Sequence, residues 1–209
     1  MDISFIHELE HKLDEDLPGE RIQNLMAPPG GEKYRELSLD HMTACVMLLL
    51  FPKDNEWHFA LIERTSRNPL DKHSGQISLP GGKMTDHDYS FEDCALRETY
   101  EEIGVSPDSI GILGHLTPLY VYVSNFLVHP FIGFTTEYPR FTLQKSEVED
   151  IIELPLEHIL KSRNKGVTDM EVRDHLIHDV PYYDINGKKL WGATAMIVSE
   201  MEYIIRDLL

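Results

Sequence analysis

Three glutamates and one arginine lie within residues 97–102, which read R-E-T-Y-E-E. On a helix, positions i, i+3 and i+4 share one face, so Glu98, Glu101 and Glu102 would bring three carboxylates together. Like charges at this spacing repel each other, and a hard divalent cation removes the repulsion by taking the oxygens as ligands. Mg²⁺ binds few carboxylates, keeps several waters and completes its shell with substrate phosphate oxygens. The spacing therefore indicates metal-assisted chemistry on a phosphate group.

Arg97 stands beside these carboxylates and can hold one of them in a two-pronged pair. A run of glutamates on a helix is more often only a solvated face, so the flanking sequence has to decide. A Gly81-Gly82 turn and a polar linker at 83–89 come directly before the helical pattern at 90–103, and Gly104 follows as a C-cap. This order favours a metal-binding role for the glutamates over a solvated helix face. The side of the helix opposite the glutamates carries residues suited to burial: Ala95, Leu96, Thr99 and Ile103.

The chain around this helix reads as strands that would position it. Residues 43–51 predict a strand buried on both faces, and 57–64 predict a second strand that returns after a turn at 52–56 to form a hairpin. After the helix, 111–118 and 126–134 read as two further strands, with a loop at 117–125 between them. Strands mixed with helices in this order predict an α+β domain in which helices cover a mixed β-sheet.

The two ends of the chain predict further helices. Residues 2–14 place apolar side chains at helical spacing among charged ones, so we expect an amphipathic helix in an N-terminal extension, 1–40, before the main domain, 41–209. Charged residues at 144–150 and an apolar run at 151–154 lead toward the C-terminal elements. These are a short helix at 155–160, a hairpin arm at 172–184 that turns at Asn186-Gly187 into 189–191, and a closing helix at 193–208.

Composition limits the classes of function. The chain has 209 residues, 42% of them hydrophobic and 26% charged, which is ordinary for one globular domain or one domain with an appendage. The formal net charge of −17 argues against the basic surface that nucleic-acid binding needs. It agrees with an anionic substrate only if bound cations reverse the local sign. No apolar run approaches the ~18 residues of a membrane span, so we expect no membrane partner.

The cysteines and the N-terminus indicate a compartment. Cys45 and Cys94 lie far apart in apolar contexts and belong to no C-x-x-C pattern. The acidic N-terminus has neither the basic start of a secretory signal nor the arginine-rich character of a transit peptide. We therefore expect reduced structural thiols in a cytoplasmic protein.

The segment from the glycine pair to Val105 resembles the Nudix box, G-x5-E-x7-R-E-U-x-E-E-x-G-U, where U is apolar. The stretch from Arg97 onward fits except that Thr99 stands where an aliphatic residue is usual. The front half departs from the box, because Tyr89 occupies the place of the first glutamate and the glycine lies one residue too far upstream. A one-residue insertion in the linker accounts for both departures, with Asp88 or Asp86 in the role of the missing glutamate.

Three flanking stretches resemble one branch of the Nudix hydrolases, the coenzyme A diphosphatases. They are K-H-S-G-Q-I-S-L-P-G-G at 72–82, L-T-P-L at 116–119 and W-G-A-T-A at 191–195. The resemblance implies an α/β/α sandwich, a coenzyme A-like nucleotide as substrate and Mg²⁺ or Mn²⁺ as cofactor. It implies hydrolysis of the diphosphate to 3′,5′-ADP and 4′-phosphopantetheine. A homodimer is a further expectation that the sequence leaves open.

The resemblance also implies roles for single residues. Glu98, Glu101 and Glu102 would be the metal ligands. Arg97 would orient a ligand carboxylate, and Glu101 would take part in catalysis as well as in metal binding. A further glutamate from a downstream loop would be a ligand or the general base, and Glu147 is the candidate, with Glu149 as its competitor.

Substrate contacts would come from the basic loop before the box and from the glycine turn. The loop 64–73 is basic in an otherwise acidic chain. Which of its cations reaches the nucleotide stays open, with Arg67 among them. The substrate-binding residues expected here are Arg64, Lys72, His73, Gly81 and Gly82.

Other functions compete with coenzyme A hydrolysis. The same box would serve a hydrolase of ADP-ribose, of a dinucleoside polyphosphate or of a damaged nucleotide. A Nudix-fold binding module without catalysis would agree with the missing upstream glutamate. A zinc hydrolase is disfavoured, because none of the 11 histidines forms an H-E-x-x-H pattern.

Overall fold

The structure, a computed structural model, describes residues 3–30, 37–65, 75–172 and 175–209. The positions predicted for Lys72 and His73, and the alternative Arg67, lie outside the described residues. Everything that follows concerns the described part of the chain.

A mixed sheet forms the centre of the molecule. Its central strand, β1, runs parallel to β7 in unbroken register from the Met42–Phe126 pair to the Leu50–Phe134 pair. The other pairings in this sheet are antiparallel, including the predicted hairpin of β1 and β2. The strands are β1 Met42–Lys53, β2 Glu56–Arg64, β3 Ile77–Ser78, β4 Gly81–Lys83, β5 Gly111–His115, β6 Leu119–Val121, β7 Phe126–Phe134 and β8 Val148–Pro155.

A smaller antiparallel sheet and five α-helices complete the described fold. The small sheet is ordered β11-β10-β9, and its last turn is at Asn186 and Gly187, both with positive φ, as a two-residue hairpin of type I′ requires. Its strands are β9 Lys165–Val172, β10 His175–Ile185 and β11 Lys188–Trp191. The helices are α1 Ser4–Leu13, α2 Glu20–Gln23, α3 Phe91–Ile103, α4 Leu156–Leu160 and α5 Gly192–Ile205.

The apolar residues of β1 alternate between two cores. Leu48 and Leu50 face one core together with α1, α5 and the small sheet. Met47 and Leu49 face the other core, which α3 covers. Because successive side chains on a strand point to opposite faces, an apolar run such as β1 is expected where both faces are covered. The expectation of a mixed sheet with helices over both faces is confirmed.

The N-terminal helix packs into the same core as α5. Phe5, Ile6 and Leu9 of α1 are buried there. Glu200 of α5, fully buried, accepts hydrogen bonds from Gly19 N at 3.0 Å and Gln23 Nε2 at 2.9 Å. Helices α1 and α2 are thus in close contact with the main domain, and the separation of 1–40 as a unit stays a prediction.

Some elements differ from the sequence-based expectation. The loop expected at 117–125 contains the short strand β6, which is stabilised by pairing with β7 from Leu119–Val128 to Val121–Phe126. The strand β9 was not predicted. It pairs with β10, which begins at His175 rather than at 172. Both strands form antiparallel pairs with the next strand in the chain, and β6, with three residues, is too short to show a period. In the part of the chain that the structure describes, no helix has the length and apolar character needed to cross a bilayer.

Candidate active site

The helix α3 carries the glutamates and is closed at both ends by local contacts. Ser90 Oγ accepts a hydrogen bond from Asp93 N at 3.0 Å, and Gly104, with φ of 75°, donates its N–H to Tyr100 O at 2.9 Å. Serine at the N-cap and glycine in the left-handed conformation after the last turn are favoured for these reasons. Thr99 is accommodated in the buried side because its Oγ1 donates to Ala95 O at 2.7 Å.

Burial along α3 agrees with prediction at three of four positions. Ala95, Thr99 and Ile103 are buried as expected. Leu96 is only half-buried. Glu102, expected on an open face, is itself buried, at 1% exposure.

The glycine turn holds two of the carboxylates. Gly82 on β4 pairs with Cys45 on β1, which brings the turn under α3. Gly81 donates its N–H to Glu102 Oε2 at 2.8 Å. A Cβ placed on Gly82 would overlap the carboxylate of Glu98, so the glycine leaves room for that carboxylate in its present position. The turn therefore contacts Glu98 and Glu102 directly.

Asp88 is the residue that pairs with Arg97. The guanidinium donates from Nε to Oδ1 at 2.7 Å and from Nη2 to Oδ2 at 2.9 Å, which is the two-pronged geometry of a strong charge-assisted pair. Thr85 donates its N–H and its hydroxyl to Asp88 Oδ2. The bond to Arg97 lowers the pKa of Asp88, and the same bond raises the pKa of Arg97. Between the two candidates, Asp88 rather than Asp86 occupies the place of the missing glutamate.

Arg97 also holds two carboxylates of the box. Its Nη1 donates to Glu98 Oε1 at 2.8 Å and to Glu101 Oε2 at 3.0 Å. Glu101 is exposed, whereas Glu98 is half-buried. Burial raises the pKa of Glu98, although the bond from Arg97 opposes this shift. Arg97 is therefore held by Asp88 on one side and orients Glu98 and Glu101 on the other.

Glu102 carries the most perturbed carboxyl group among these glutamates. Burial raises its pKa to about 8, against the opposing effects of Gly81 N–H and of Arg64. The charges of Glu98 and Glu147 add to the rise. Arg64 Nη1 lies 3.5 Å from Glu102 Oε1, so this residue of β2, predicted for substrate, stands within the carboxylate cluster.

The loop after residue 141 is fastened to the end of α3. Thr142 N–H donates to Ile103 O at 2.8 Å and Gln144 N–H donates to Glu102 O at 3.0 Å, which satisfies two of the carbonyls left open at a helix end. Thr65 N–H donates to Glu147 O at 2.8 Å. This loop brings Glu147 near enough to influence the pKa values of Glu98 and Glu102. Glu149 lies one residue inside β8.

The side chains at this site offer oxygen ligands, the type that a hard cation such as Mg²⁺ binds. These ligands are carboxylate oxygens, and Glu102 sits in a place where its own charge is unfavourable and a neighbouring positive charge would help. Among the described residues, however, no three His, Cys, Asp or Glu side chains are close enough to each other to hold an ion. Glu98 and Glu101 instead bind Arg97, and Glu102 bends toward Gly81 and Arg64. The expected single face of three carboxylates is thus divided between two arginines.

Comparison with known proteins gives the family. Residues 41–171 match the family model of the NUDIX domain. The chain belongs to the Nudix family. A protein of Pectobacterium atrosepticum named as the uncharacterized Nudix hydrolase NudL is 34% identical over 147 residues, covering 70% of this chain and 75% of its own length. This Nudix protein is therefore an enzyme that acts on pyrophosphate bonds.

Two other relatives carry more specific names. The human mitochondrial coenzyme A diphosphatase NUDT8 is 32% identical over 127 residues, 60% of this chain and 54% of that protein. The chloroplastic Nudix hydrolase 22 of Arabidopsis thaliana is 32% identical over 163 residues, 74% of this chain and 52% of that protein. The chain thus spans about half the length of these two relatives.

A solved structure supports the fold. The crystal structure of a MutT/nudix family protein from Enterococcus faecalis superposes with a TM-score of 0.52 at 16% identity, covering 96% of this chain and 74% of that one. At this identity the likeness concerns the fold alone.

The two downstream motifs lie on the face of the sheet opposite α3. Leu116 and Leu119 of L-T-P-L belong to the core that α5 covers, and W-G-A-T-A opens α5 at Trp191. Thr117 donates its N–H and its hydroxyl to Glu200 of α5. Both motifs therefore belong to the core on this face of the sheet, away from the glutamates of α3.

Proposed function

We propose that this Nudix hydrolase cleaves the diphosphate bond of coenzyme A or a derivative, giving 3′,5′-ADP and 4′-phosphopantetheine. The substrate class rests on the similarity to the human coenzyme A diphosphatase and on the three motifs at 72–82, 116–119 and 191–195. The reaction type rests on one geometric observation, the placement of Glu98 and Glu102 directly against the Gly81-Gly82 turn.

Glu98, Glu101 and Glu102 would hold Mg²⁺ or Mn²⁺. Such an ion, when bound, neutralises diphosphate charge and lowers the pKa of a bound water. The protein's part is positioning: Asp88 fixes Arg97, and Arg97 orients the carboxylates. Fixed polar groups of this kind account for much of enzymatic phosphoryl transfer.

Glu147 is the proposed general base, since its loop places its charge beside Glu98 and Glu102. Glu149 remains the competitor, as the second residue of β8. The backbone of the glycine turn would approach the phosphates. Substrate contacts by Arg64, Lys72 and His73 complete the proposal.

Product identification tests the proposal. The protein is incubated with coenzyme A and Mn²⁺, and the products are identified by mass spectrometry, with Glu102→Gln as the matched control. We expect 3′,5′-ADP and 4′-phosphopantetheine from the native protein only. Turnover of ADP-ribose or a dinucleoside polyphosphate, with coenzyme A left intact, would replace this substrate by one of the alternatives.

A parallel incubation with 3′-dephospho-coenzyme A tests whether the basic loop at 64–73 reads the 3′-phosphate. A higher KM for this analogue at unchanged kcat is the expected result. Equal kinetic constants would show that the 3′-phosphate is not recognised.

The remaining expectations stay proposals. A homodimer and a cytoplasmic location are not decided, and relatives carry names from mitochondria and chloroplasts. Size-exclusion chromatography with light scattering would measure the oligomeric state directly.

A further inference from the structure

Two cysteines that are distant in sequence lie together beneath α3. Cys45 belongs to the central strand β1, and Cys94 lies in the first turn of α3. Both are free thiols, fully buried in the core that α3 covers. The fold therefore brings both cysteines of the chain into one core, next to the glycine turn of the candidate active site.

The glycine turn gives the two sulfur atoms room to approach each other. Gly82 is the strand partner of Cys45, so a side chain at position 82 would stand beside that thiol. The Cys94 thiol donates a hydrogen bond to Gly82 O at 3.9 Å, which places its sulfur next to the same strand pair. The thiols of Cys45 and Cys94 also form a hydrogen bond with each other. The two sulfur atoms are thus neighbours in the folded protein.

Arg97 makes the two thiols chemically different. Its Nη2 donates a weak hydrogen bond to Cys94 Sγ at 3.8 Å. A guanidinium beside a sulfur favours the thiolate, which is the nucleophilic form of cysteine. The bond between the thiols acts in the same direction, because it lowers the pKa of Cys94 and raises the pKa of Cys45. Cys94 is therefore the more reactive thiol, and Cys45 is a protonated thiol held next to it.

The position of Cys94 near the start of α3 gives a small molecule a route to its sulfur. The three residues before it, Phe91, Glu92 and Asp93, are exposed, whereas Cys94 itself has no exposed surface. The ends of helices open at a lower free energy than the rest of a fold. Opening of this first turn admits a molecule of the size of hydrogen peroxide while the core beneath stays closed to bulky reagents.

We propose that Cys94 and Cys45 form a disulfide when the protein meets a hydroperoxide, such as hydrogen peroxide. The sulfur of Cys94 attacks one peroxide oxygen, the O–O bond breaks, and the leaving hydroxide forms water with the proton that Cys94 has released. The sulfur of Cys45 then attacks the sulfenic acid of Cys94, and the S–O bond breaks. The second hydroxide leaves as water with the proton of Cys45. Two thiols are thereby oxidised and one peroxide is reduced to two waters.

The disulfide joins α3 to β1 beside the residues proposed for catalysis. It holds its sulfur atoms about 2 Å apart, closer than two hydrogen-bonded thiols, so the start of α3 moves toward β1. Arg97 lies one turn further along this helix and orients Glu98 and Glu101. Because small displacements of positioned groups slow chemistry strongly, kcat of the oxidised protein falls by about tenfold.

Mass spectrometry of the full chain tests the cross-link. The reduced protein is treated with hydrogen peroxide, unfolded and alkylated with iodoacetamide, and the masses of the chain and of its proteolytic peptides are measured. We expect one disulfide within a single chain, joining Cys45 to Cys94 and reversed by dithiothreitol. Two alkylated thiols after treatment, or sulfonic acids or disulfides between chains without this cross-link, overturn the proposal.

Single replacements identify the attacking thiol. In Cys45→Ala, Cys94 has no second thiol to react with, so dimedone traps it as a sulfenic acid. Cys94→Ala is the matched control, and its Cys45 should react at least about tenfold more slowly. Equal rates in the two variants overturn the assignment of Cys94 as the attacking thiol. If the variants fail to fold, the presence and position of the cross-link in the native protein still decide whether the pair exists.

Activity gives a second measurement, and the cross-link itself is measured without any substrate. Hydrolysis of whichever diphosphate the protein accepts is followed before peroxide, after peroxide and after dithiothreitol. The native protein should lose activity and regain it, while Cys94→Ala, which cannot form the cross-link, keeps its own starting rate. A fully cross-linked protein with native kcat overturns the effect on α3. If the disulfide forms but coenzyme A stays intact, the proposed substrate is wrong and the thiol pair still stands.

Discussion

Two helices on opposite faces of the central sheet bury glutamates in different ways. On α5, Glu200 accepts four hydrogen bonds, from Gly19 N, Gln23 Nε2, Thr117 N and Thr117 Oγ1. On α3, Glu102 is as deeply buried, but its partners among the described residues are one backbone N–H at 2.8 Å and one arginine at 3.5 Å. Fully bonded carboxylates stabilise a fold, whereas a buried carboxylate with open oxygen positions is available to a ligand.

The pKa values of two buried glutamates, Glu202 on α5 and Glu102 on α3, differ in the same way. Burial opposes ionisation of Glu202 on α5, but hydrogen bonds from Lys165, Tyr183 and Arg206 outweigh it and lower its pKa. Burial dominates at Glu102 and raises its pKa to about 8. The two helices show that burial of a glutamate does not by itself identify a functional site, and that the number and quality of its partners do.

The largest expected effect is the loss of activity in Glu102→Gln. The amide keeps the size of the side chain but removes the charge that would hold a cation, so kcat should fall on the order of a hundredfold or more. Steady-state hydrolysis with Mn²⁺ measures this. Glu92→Gln, at an exposed position in the first turn of the same helix, is the matched control. Near-native activity of Glu102→Gln would remove Glu102 from the set of ligands.

The same variant gives a pH-dependent test of stability. Because the pKa of Glu102 rises from 4.5 unfolded to about 8 folded, the folded state binds its proton more tightly. This contribution to stability is present below pH 4.5 and is lost as the pH rises through about 8. Urea unfolding of the metal-free proteins should therefore favour Glu102→Gln increasingly over that window. A constant difference between the two proteins would contradict the assigned shift.

Replacement of Glu200 should reduce stability and leave the chemistry unchanged. Glu200→Ala leaves four donors without their acceptor, one of them on the fully buried Gln23, and we expect a loss of about 3 kcal/mol in the free energy of unfolding. Urea denaturation measures this loss, and kcat per folded molecule should stay at the native value. Glu200→Gln, which retains one acceptor oxygen, should lose less. A selective loss of kcat would mean that α5 and α3 do not differ as described.

Asp88→Asn weakens the two-pronged pair with Arg97. We expect a loss of about 2 kcal/mol at pH 7 and a lower kcat, because Arg97 then orients Glu98 and Glu101 less well. The pKa of Asp88 is lowered in the folded state, so its stabilisation is present above the unfolded value of about 3.9 and is lost as the pH falls through the folded value. Unfolding measured at pH 7 and pH 3 should show this decline. The control Asp86→Asn should have the same free energy of unfolding as the native protein at both pH values.

The smallest expected effect belongs to Gly82→Ala. The added Cβ would meet the carboxylate of Glu98, whose flexible end can move away, so stability should change little. The displaced carboxylate is then misplaced for chemistry, and kcat should fall about tenfold. Thermal unfolding and kinetics on the same preparation separate the two effects. A large fall in melting temperature would show that the turn is mainly structural.

Local signals predicted the helix α3 and the strands β1, β2 and β7. Ser90 and Gly104 marked the ends of α3, and long apolar runs marked the strands. The strands β6 and β9 pair with the next strands in the chain, β7 and β10, but β6 has only three residues and β9 carries charged residues and a glycine, so neither shows a clear strand period. Pairing with the neighbouring strand, rather than propensity, determined these elements.

The residue types of the candidate site could be predicted from the sequence, but the hydrogen bonds and ion pairs between those residues could not. The spacing of the glutamates gave the cluster, yet it could not show that Glu102 turns inward while Glu101 stays exposed. The choice of Asp88 over Asp86 depended on a linker whose path only the fold defines. The contact between Arg64 and Glu102 joins residues distant in sequence, so spacing contains no sign of it.

The hydrogen bonds to Glu200 join the N-terminal residues of the described chain to its C-terminal helix. The family match ends at residue 171, whereas the core beneath α1 and α5 needs side chains from both ends of the described chain. Removal of the first 23 residues would take away two of the four hydrogen-bond donors to Glu200 and would uncover the apolar surface against which Phe5 and Leu9 pack. The stretch that matches the Nudix family model is thus smaller than the set of residues that fills this core.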